Sequence, residues 1–137
     1  RLFDVKMTYG NQLLQKPFTA KHRAFSNIGY EIKGWKFDYT INYNGSKRIP
    51  NTASNPVAFQ RPLSSPAYVL MNAQISKTVG KKHPVDLYVG GENLTDYMQK
   101  DAIISAGQPF GPYFDASMIW GPVTGRMVYF GFRYKIK

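Results

Sequence analysis

Strict alternation of apolar and polar residues is the feature that most constrains the fold of this chain. After Gly34, apolar side chains occupy every second position, and polar side chains fill the positions between them. A period of two places the two sets on opposite faces of a β-strand. Aromatic rings at both ends of the apolar set are typical of a strand that spans a bilayer. The predicted lipid-facing residues of this strand are Trp35, Phe37, Tyr39, Ile41 and Tyr43.

The same alternation recurs elsewhere and predicts an all-β, antiparallel chain with six strands and no helix. In the last strand, the predicted lipid-facing residues are Val128, Phe130 and Phe132. The six predicted strands are Phe3–Tyr9, Ala24–Ile32, Trp35–Asn44, Val69–Ser76, Val85–Glu92 and Val128–Ile136. Bacterial membrane barrels begin at about eight strands. Six strands therefore predict a segment of a larger barrel.

The connections between the predicted strands alternate between short and long. Lys33-Gly34 is a tight turn, and residues 80–84 form a short one, whereas 10–23, 45–66 and 93–117 are long and contain most of the prolines. Outer-membrane barrels have short periplasmic turns and longer extracellular loops. The pattern therefore predicts that Lys33 and Lys81 to His83 lie at the periplasmic rim, and that the chain ends in the periplasm.

The net charge of +10, from 18 Lys and Arg against 8 Asp and Glu, leaves several partners open. Basic chains bind nucleic acid, anionic membrane surfaces or anionic ligands. No motif of a nucleic-acid-binding fold accompanies the charge, so we expect no nucleic-acid partner. The cations are better explained as a polar lumen lining and as rim charges near the phosphates of lipid and lipopolysaccharide. Lys47 and Arg48, in a predicted outer loop, are candidates for such a contact.

Nothing in the sequence indicates a metal site, a cofactor site or a catalytic centre. The chain has no cysteine, and neither His22 nor His83 has a second ligand at metal-binding spacing. Asp96, Asp101 and Asp115 lack the spacing of a calcium loop. No Ser, His and Asp are ordered as a triad, and no pair of carboxylates stands out. We therefore expect no enzyme activity, no catalytic residue, no bound metal and no cofactor.

A nine-residue stretch that begins within the fifth predicted strand and runs past its end resembles a known motif. Residues 89–97 read VGGENLTDY. They resemble the G-x-x-N-L-x-D/N-x-x-Y pattern that precedes the last extracellular loop of TonB-dependent outer-membrane receptors. The residues taken as the family motif are Gly90, Asn93, Leu94, Asp96 and Tyr97, although Tyr97 stands directly after Asp96 and not three positions after it.

The C-terminal region carries a second resemblance to the same family, in the style of the Bacteroidetes. Residues 120–126 read WGPVTGR, and Gly125 and Arg126 match the family's G-R pair before the closing strand. The end of the chain also resembles the signal that the barrel-assembly machinery recognises. Its positions are Tyr129, Gly131, Tyr134 and Ile136, with Ile136 in place of the usual final Phe and Lys137 beyond it.

The resemblance implies that residues 1–137 are the C-terminal portion of a receptor barrel in the bacterial cell outer membrane. The family's barrel has about 22 strands and encloses an N-terminal plug domain. Such receptors actively import siderophores, haem, cobalamin or glycans with energy passed on by TonB. The implied partners are lipid, lipopolysaccharide, the rest of the barrel with its plug, the assembly machinery, and TonB through an N-terminal part not in this chain.

Two alternatives remain open from the residues themselves. The chain could be a small independent outer-membrane barrel, acting as an adhesin or a pore. It could also be a soluble β-sandwich that binds glycans, although its aromatic faces would then need a second sheet to cover them.

Overall fold

The computed structural model describes residues 5–81 and 84–134 and contains seven β-strands there. The one other regular element in this part of the chain is a single 3-10 turn at Val57–Phe59. The strands are β1 (Lys6–Tyr9), β2 (Gln12–Gln15), β3 (Arg23–Ile32), β4 (Trp35–Asn44), β5 (Tyr68–Val79), β6 (Val85–Glu92) and β7 (Met127–Tyr134). The prediction of an all-β chain with antiparallel sheets is confirmed.

Five of the strands form one sheet in which neighbours in sequence are neighbours in space, in the order β3-β4-β5-β6-β7. The predicted tight turn between β3 and β4 is confirmed. Both of its residues, Lys33 and Gly34, have positive φ angles, of 48° and 78°. That combination defines a type I′ turn, whose twist matches that of the strands it joins.

The short and long connections of this sheet alternate as predicted. Val79 pairs with Val85, so the β5–β6 connection is short. The β4–β5 and β6–β7 connections span 45–67 and 93–126. In an antiparallel meander, alternate connections leave from opposite ends of the sheet. The Val79–Val85 pair therefore lies at the same end of the sheet as the β3–β4 turn, and both long connections leave from the other end.

The prediction for the N-terminal region was wrong in two respects. Residues Gln12–Gln15 were expected to lie in a loop, but they form β2. The first predicted strand was expected to join the main sheet, but its described part, β1, pairs with β2 through a hairpin turn at Gly10. The main sheet therefore contains five strands, and in the described residues it does not close: β3 and β7 are its edges.

The chain divides into two compact units. We call the first the loop unit; it contains the described residues of 1–24, 44–68 and 98–124. We call the second the sheet unit; it contains the described residues of 25–43, 69–97 and 125–137, and with them nearly all of the main sheet.

The loop unit has a small hydrophobic core despite its lack of long strands. Ile49, Ile104 and Met118 are buried against one another, and the rings of Phe18, Phe59 and Trp120 pack around them. Three isolated bridges tie the segments together: Ala20 with Lys47, Arg48 with Ser64, and Ile104 with Asp115. All the buried apolar residues of the described chain lie in this unit: Ala20, Ile49, Tyr68, Ile104 and Met118.

Candidate functional site

The main sheet has one apolar face and one polar face. In the β6–β7 register, Val89 lies opposite Phe130, and Leu87 lies opposite Phe132. Ile75 of β5 lies opposite Val89, which extends the same apolar face by one strand. The intervening positions place Gln74, Ser76, Asp86 and Arg133 on the other face. The parity predicted from the sequence for these three strands is confirmed by the register.

Side-chain contacts show that β4 also has one apolar side and one polar side. The Tyr39 hydroxyl lies 3.1 Å from the Met71 sulfur, on the apolar face of β5. On the polar side, the Asn27 amide donates to Asp38 at 3.1 Å and to Thr40 at 2.8 Å. These contacts place Tyr39 on the face that carries Val128, Phe130 and Phe132, and alternation along β4 puts Trp35, Phe37, Ile41 and Tyr43 on the same side of that strand, although Phe37 also lines the cleft described below. That these eight residues face lipid stays a prediction.

The apolar face is exposed, especially along β7. Phe130 is 87% exposed, and Val128 and Phe132 are 71% and 72% exposed. When this chain folds alone, large apolar side chains at this exposure keep most of their surface accessible to the surroundings. Their burial therefore contributes little to stability. A contiguous exposed apolar face of this kind marks a site of contact with another protein, a membrane or a ligand.

One cation lies on the apolar face, and its ammonium group is turned toward the β3–β4 turn. Lys77 is opposite Leu87, yet its Nζ donates to the Lys33 carbonyl at 2.9 Å and lies 4.9 Å from the centre of the Trp35 ring. The aliphatic stem thus covers apolar surface while the charge reaches a polar end, which is the behaviour called snorkelling. Lys77 and Trp35 mark the short-turn end of this face.

A shallow cleft of about 420 Å³ lies on the polar face. Three carboxylates and two cations line it: Glu31, Asp38, Asp86, Lys36 and Arg133. Lys36 and Glu31 form an exposed ion pair at 3.9 Å, and Thr78 donates to Asp86 at 2.6 Å. Groups of both charges in a water-accessible cleft can hydrogen-bond a polar solute or another polar surface. No sequence pattern groups these residues, because they lie on four strands and meet only through the sheet register.

Two reciprocal tyrosine–glycine pairs lie on the polar face between β6 and β7. Tyr88 is directly opposite Gly131, and Tyr129 is directly opposite Gly90. A Cβ atom on either glycine would lie 2.5 Å from the facing tyrosine hydroxyl, so each ring occupies the space that a side chain would fill. The rings meet edge to face, with centroids 6.4 Å apart. Aromatic rings that cover glycines in this way fix the register of neighbouring strands.

These pairs give a packing role to three of the residues singled out by resemblance. Gly90, Tyr129 and Gly131 all belong to them, and the Tyr129 hydroxyl also contacts Gln74 at 3.1 Å. Tyr134 lies at the end of β7, opposite Val85. Ile136, the fourth position of the predicted assembly signal, lies outside the described residues. Recognition by the assembly machinery remains a prediction.

The motif that follows β6 forms a hydrogen-bonded corner centred on Asn93. Asn93 has a φ of 50°, a conformation that asparagine adopts more readily than most residues. Its side-chain oxygen accepts from the Tyr97 amide at 3.1 Å, and its side-chain nitrogen donates to the Tyr97 carbonyl at 2.9 Å. Leu94 folds back over Gly91, and the Leu94 amide donates to the Met71 carbonyl. The corner therefore joins the end of β6 to β5.

The same corner reaches the start of β7. Asp96, with a φ of 53°, accepts a hydrogen bond from the Arg126 amide at 2.8 Å. Arg126 follows Gly125 and immediately precedes β7. The residues of the two family-like motifs are thus close in space although about thirty positions separate them. The residues that match the two motifs thus hold strand ends together, and Glu92 of the first motif also lines a second cleft, of about 330 Å³, on the polar face.

In the loop unit, Gln99 holds the segment before Pro122 by its side chain. Its amide nitrogen donates to the Met118 carbonyl at 2.8 Å, and its oxygen accepts from the amides of Trp120 and Gly121 at 2.8 and 3.0 Å. A buried amide with all these bonds satisfied rigidifies the chain around it. No sequence pattern indicates this role, because it depends on contacts across about twenty residues.

The described residues contain no group of three His, Asp or Glu side chains placed to hold a metal ion. Nor does any helix of the described chain have the length and apolar character needed to cross a membrane. Comparison of the chain with known family models, with curated proteins and with solved structures gives no match.

Proposed function

We propose that this chain is the C-terminal part of the barrel wall of a TonB-dependent transporter in a bacterial outer membrane. In this role the apolar face of the sheet meets lipid, and the polar face meets the lumen. The cargo would belong to the nutrients such transporters import: siderophores, haem, cobalamin or glycans. The contribution of this segment is structural, since it completes the wall and carries outer loops.

The observation that carries the proposal is the exposed aromatic face of an antiparallel meander whose other face is polar and charged. A soluble sheet buries its apolar face against a second layer. Here, in the described residues, no apolar side chain of the sheet unit is buried. Lipid tails would cover this face without any further protein layer, and Trp35 with Lys77 would lie at the interface.

The two edges of the sheet support the same role. Among the described residues, β3 and β7 are the edge strands of this sheet, with a neighbouring strand on one side only. Unpaired backbone groups cost several kcal/mol each in a bilayer, so a sheet in lipid must close. Further strands, in the same protein, would pair with these edges. A plug inside the barrel and TonB at the N-terminal part of that protein are further partners under this proposal.

The decisive experiment is a charge placed on the apolar face of the full-length protein. We expect Phe132→Arg to destabilise the folded protein in lipid bilayers by about 2–4 kcal/mol, because it exposes a cation to the hydrocarbon interior. The matched control is Ser76→Arg, which adds the same side chain to the polar face and should cost less than about 1 kcal/mol. Urea unfolding in phosphatidylcholine vesicles measures both changes.

Equal costs for the two variants would contradict lipid contact and would favour a soluble sandwich. A second test separates the transporter from a small independent barrel. The complete reading frame that contains residues 1–137 should also encode a plug domain and a signal peptide. A frame without a plug domain would overturn the transporter and leave the membrane-facing sheet in place.

A further inference from the structure

We propose that the second cleft on the polar face is a binding site for a neutral oligosaccharide. Its volume of about 330 Å³ lies within the roughly 300–1,000 Å³ that is typical of ligand pockets. It is lined by Gln74, Tyr88, Glu92, Tyr129 and Arg133, all of which belong to the sheet unit. A role of this cleft in cargo uptake rests on the proposed function, whereas binding of the sugar itself does not depend on it.

The first observation is that the second cleft is elongated along β6 and β7. Arg133 is opposite Asp86, which lies six positions before Glu92 on β6. At about 3.3 Å per residue, Arg133 and Glu92 are attached roughly 20 Å apart along the strands. The cleft also adjoins the cleft of about 420 Å³, because Gln74, Tyr88 and Arg133 line both. A single small molecule cannot reach both charged residues, but an extended chain can.

The second observation is that two aromatic rings line the second cleft and are already fixed. The phenol ends of Tyr88 and Tyr129 lie over the facing glycines, and both rings are partly buried. The apolar C–H groups of a sugar ring pack on aromatic faces, which carry partial negative charge. Because packing against the sheet already holds the tyrosines, they lose little side-chain entropy when a ligand binds.

The third observation is a set of planar polar groups without partners. The Tyr129 hydroxyl donates to the Gln74 oxygen at 3.1 Å. Within residues 5–81 and 84–134, no hydrogen bond or ion pair occupies the Tyr88 hydroxyl, the Glu92 carboxylate or the Arg133 guanidinium. A guanidinium presents parallel N–H donors, a carboxylate two acceptor oxygens, and an amide one donor group and one acceptor. Adjacent hydroxyl groups of a sugar ring match such two-pronged partners.

The distribution of charge favours a neutral ligand. Glu92 and Arg133 are the two charged residues of the second cleft, and they have opposite signs. A hydroxyl group both donates and accepts, so a chain of hydroxyl-bearing rings satisfies both side chains. An anionic chain would be repelled by Glu92, and a cationic chain would be repelled by Arg133.

The position of the cleft on the face of the sheet disfavours an extended peptide. Peptides that add to a sheet gain affinity from backbone hydrogen bonds at an open edge. The central strand here, β6, is already paired with β5 on one side and with β7 on the other. Recognition in the cleft therefore depends on side chains, which suits a sugar better than a peptide backbone.

The test is titration calorimetry of the full-length protein in lauryldimethylamine oxide, a detergent without a sugar headgroup. The probes are maltohexaose, cellohexaose, xylohexaose and mannohexaose. We expect at least one of them to bind, and Arg133→Met to weaken that binding by about 10- to 100-fold, because it removes charge-assisted hydrogen bonds. Tyr88→Phe keeps the ring over Gly131 and removes only the hydroxyl, so it should weaken binding by about 3- to 10-fold.

The matched control is Arg126→Met, an exposed arginine of the same unit that does not line the cleft. Its expected effect on affinity is below about twofold. Near-UV circular dichroism confirms that each variant is folded. Three outcomes would overturn the proposal: equal weakening by Arg133→Met and Arg126→Met, tighter binding of hexagalacturonate or hexaalanine than of every neutral sugar, or no binding of any neutral sugar.

Failure of this proposal is distinguishable from failure of the proposed function. If a neutral sugar binds through Arg133 while Phe132→Arg and Ser76→Arg destabilise the protein equally, the sugar site stands and the membrane role falls. If no neutral sugar binds while Phe132→Arg alone is costly, the membrane role stands and the sugar site falls.

Discussion

The two units of this molecule handle their apolar residues in opposite ways. The loop unit has little regular structure, yet it buries Ile49, Ile104 and Met118 in a core of its own. The sheet unit has long, regular strands, yet none of its described apolar side chains is buried, and many of them are exposed. In a soluble protein the regular elements build the core and the loops cover it. The inversion shows that strand pairing can order the sheet unit without burying its apolar side chains.

The largest effect should come from the core of the loop unit. Ile104 is fully buried, so Ile104→Ala should cost about 2–5 kcal/mol through lost burial and the cavity left behind. Urea unfolding followed by Trp120 fluorescence, in a Trp35→Phe background, reports on this unit. The neighbouring Ile103→Ala, at a half-exposed site, is the control and should cost less than about 1 kcal/mol. Equal costs would mean that the loop unit has no core of its own.

The second-largest loss of stability should come from the apolar face of the sheet, and its size can be compared with that of the core substitution. Phe130→Ala should cost about 1.5–3 kcal/mol in lipid bilayers, where the ring would be buried in hydrocarbon. The control is Phe25→Ala, an exposed phenylalanine that shares its strand parity with Asn27 on the polar face; its cost should stay within about 0.5 kcal/mol. Unfolding in vesicles gives both values. If Phe130→Ala also falls within about 0.5 kcal/mol, then the exposed face does not meet lipid.

The third effect concerns the tyrosine–glycine pairs that hold β6 and β7 in register. Gly131→Ala should cost about 1–3 kcal/mol, because its methyl group would overlap the Tyr88 ring. The double variant Tyr88→Ala, Gly131→Ala should cost less than the sum of the two single changes, since the overlap disappears with the ring. Gly29→Ala, where a methyl group would meet only Asp38 at an ordinary 3.9 Å, is the control. Strict additivity in the cycle would show that ring and glycine are not coupled.

The smallest expected effect is an increase in stability. Lys33 has a positive φ in the type I′ turn, a position that asparagine occupies at lower cost. Lys33→Asn should therefore raise stability by roughly 0.5 kcal/mol, and Lys33→Val should lower it by about 1 kcal/mol or more. The urea midpoint of the full-length protein reports both. A loss of stability in Lys33→Asn would indicate that the lysine side chain itself holds the turn.

Much of the sheet could be predicted from the sequence because its pattern is local. Alternation defines the two faces of β4, β6 and β7, and the Lys33-Gly34 pair defines a hairpin. The pattern failed at β2, where Gln-Leu-Leu-Gln has no alternation, and at β1, whose partner cannot be read from its own residues. Both strands are only four residues long, so each carries little signal.

The core of the loop unit and the polar cleft could not be predicted from the sequence, for a different reason. Ile49, Ile104 and Met118 are isolated apolar residues with no common period, and they meet only after the three long segments fold together. The Gln99 bonds and the Asp96–Arg126 bond likewise join distant positions. The long 93–126 connection joins β6 to β7, so no tight turn sets the register between these two strands. No hairpin rule could therefore have aligned their glycines and tyrosines.

The reciprocal pairing of these tyrosines and glycines has a consequence for how sequences of this kind can diverge. A side chain at position 131 requires that the ring at position 88 move or be lost, and positions 90 and 129 are linked in the same way. In related sequences, each pair should therefore change together. Such covariation would be visible in an alignment even where overall identity is low.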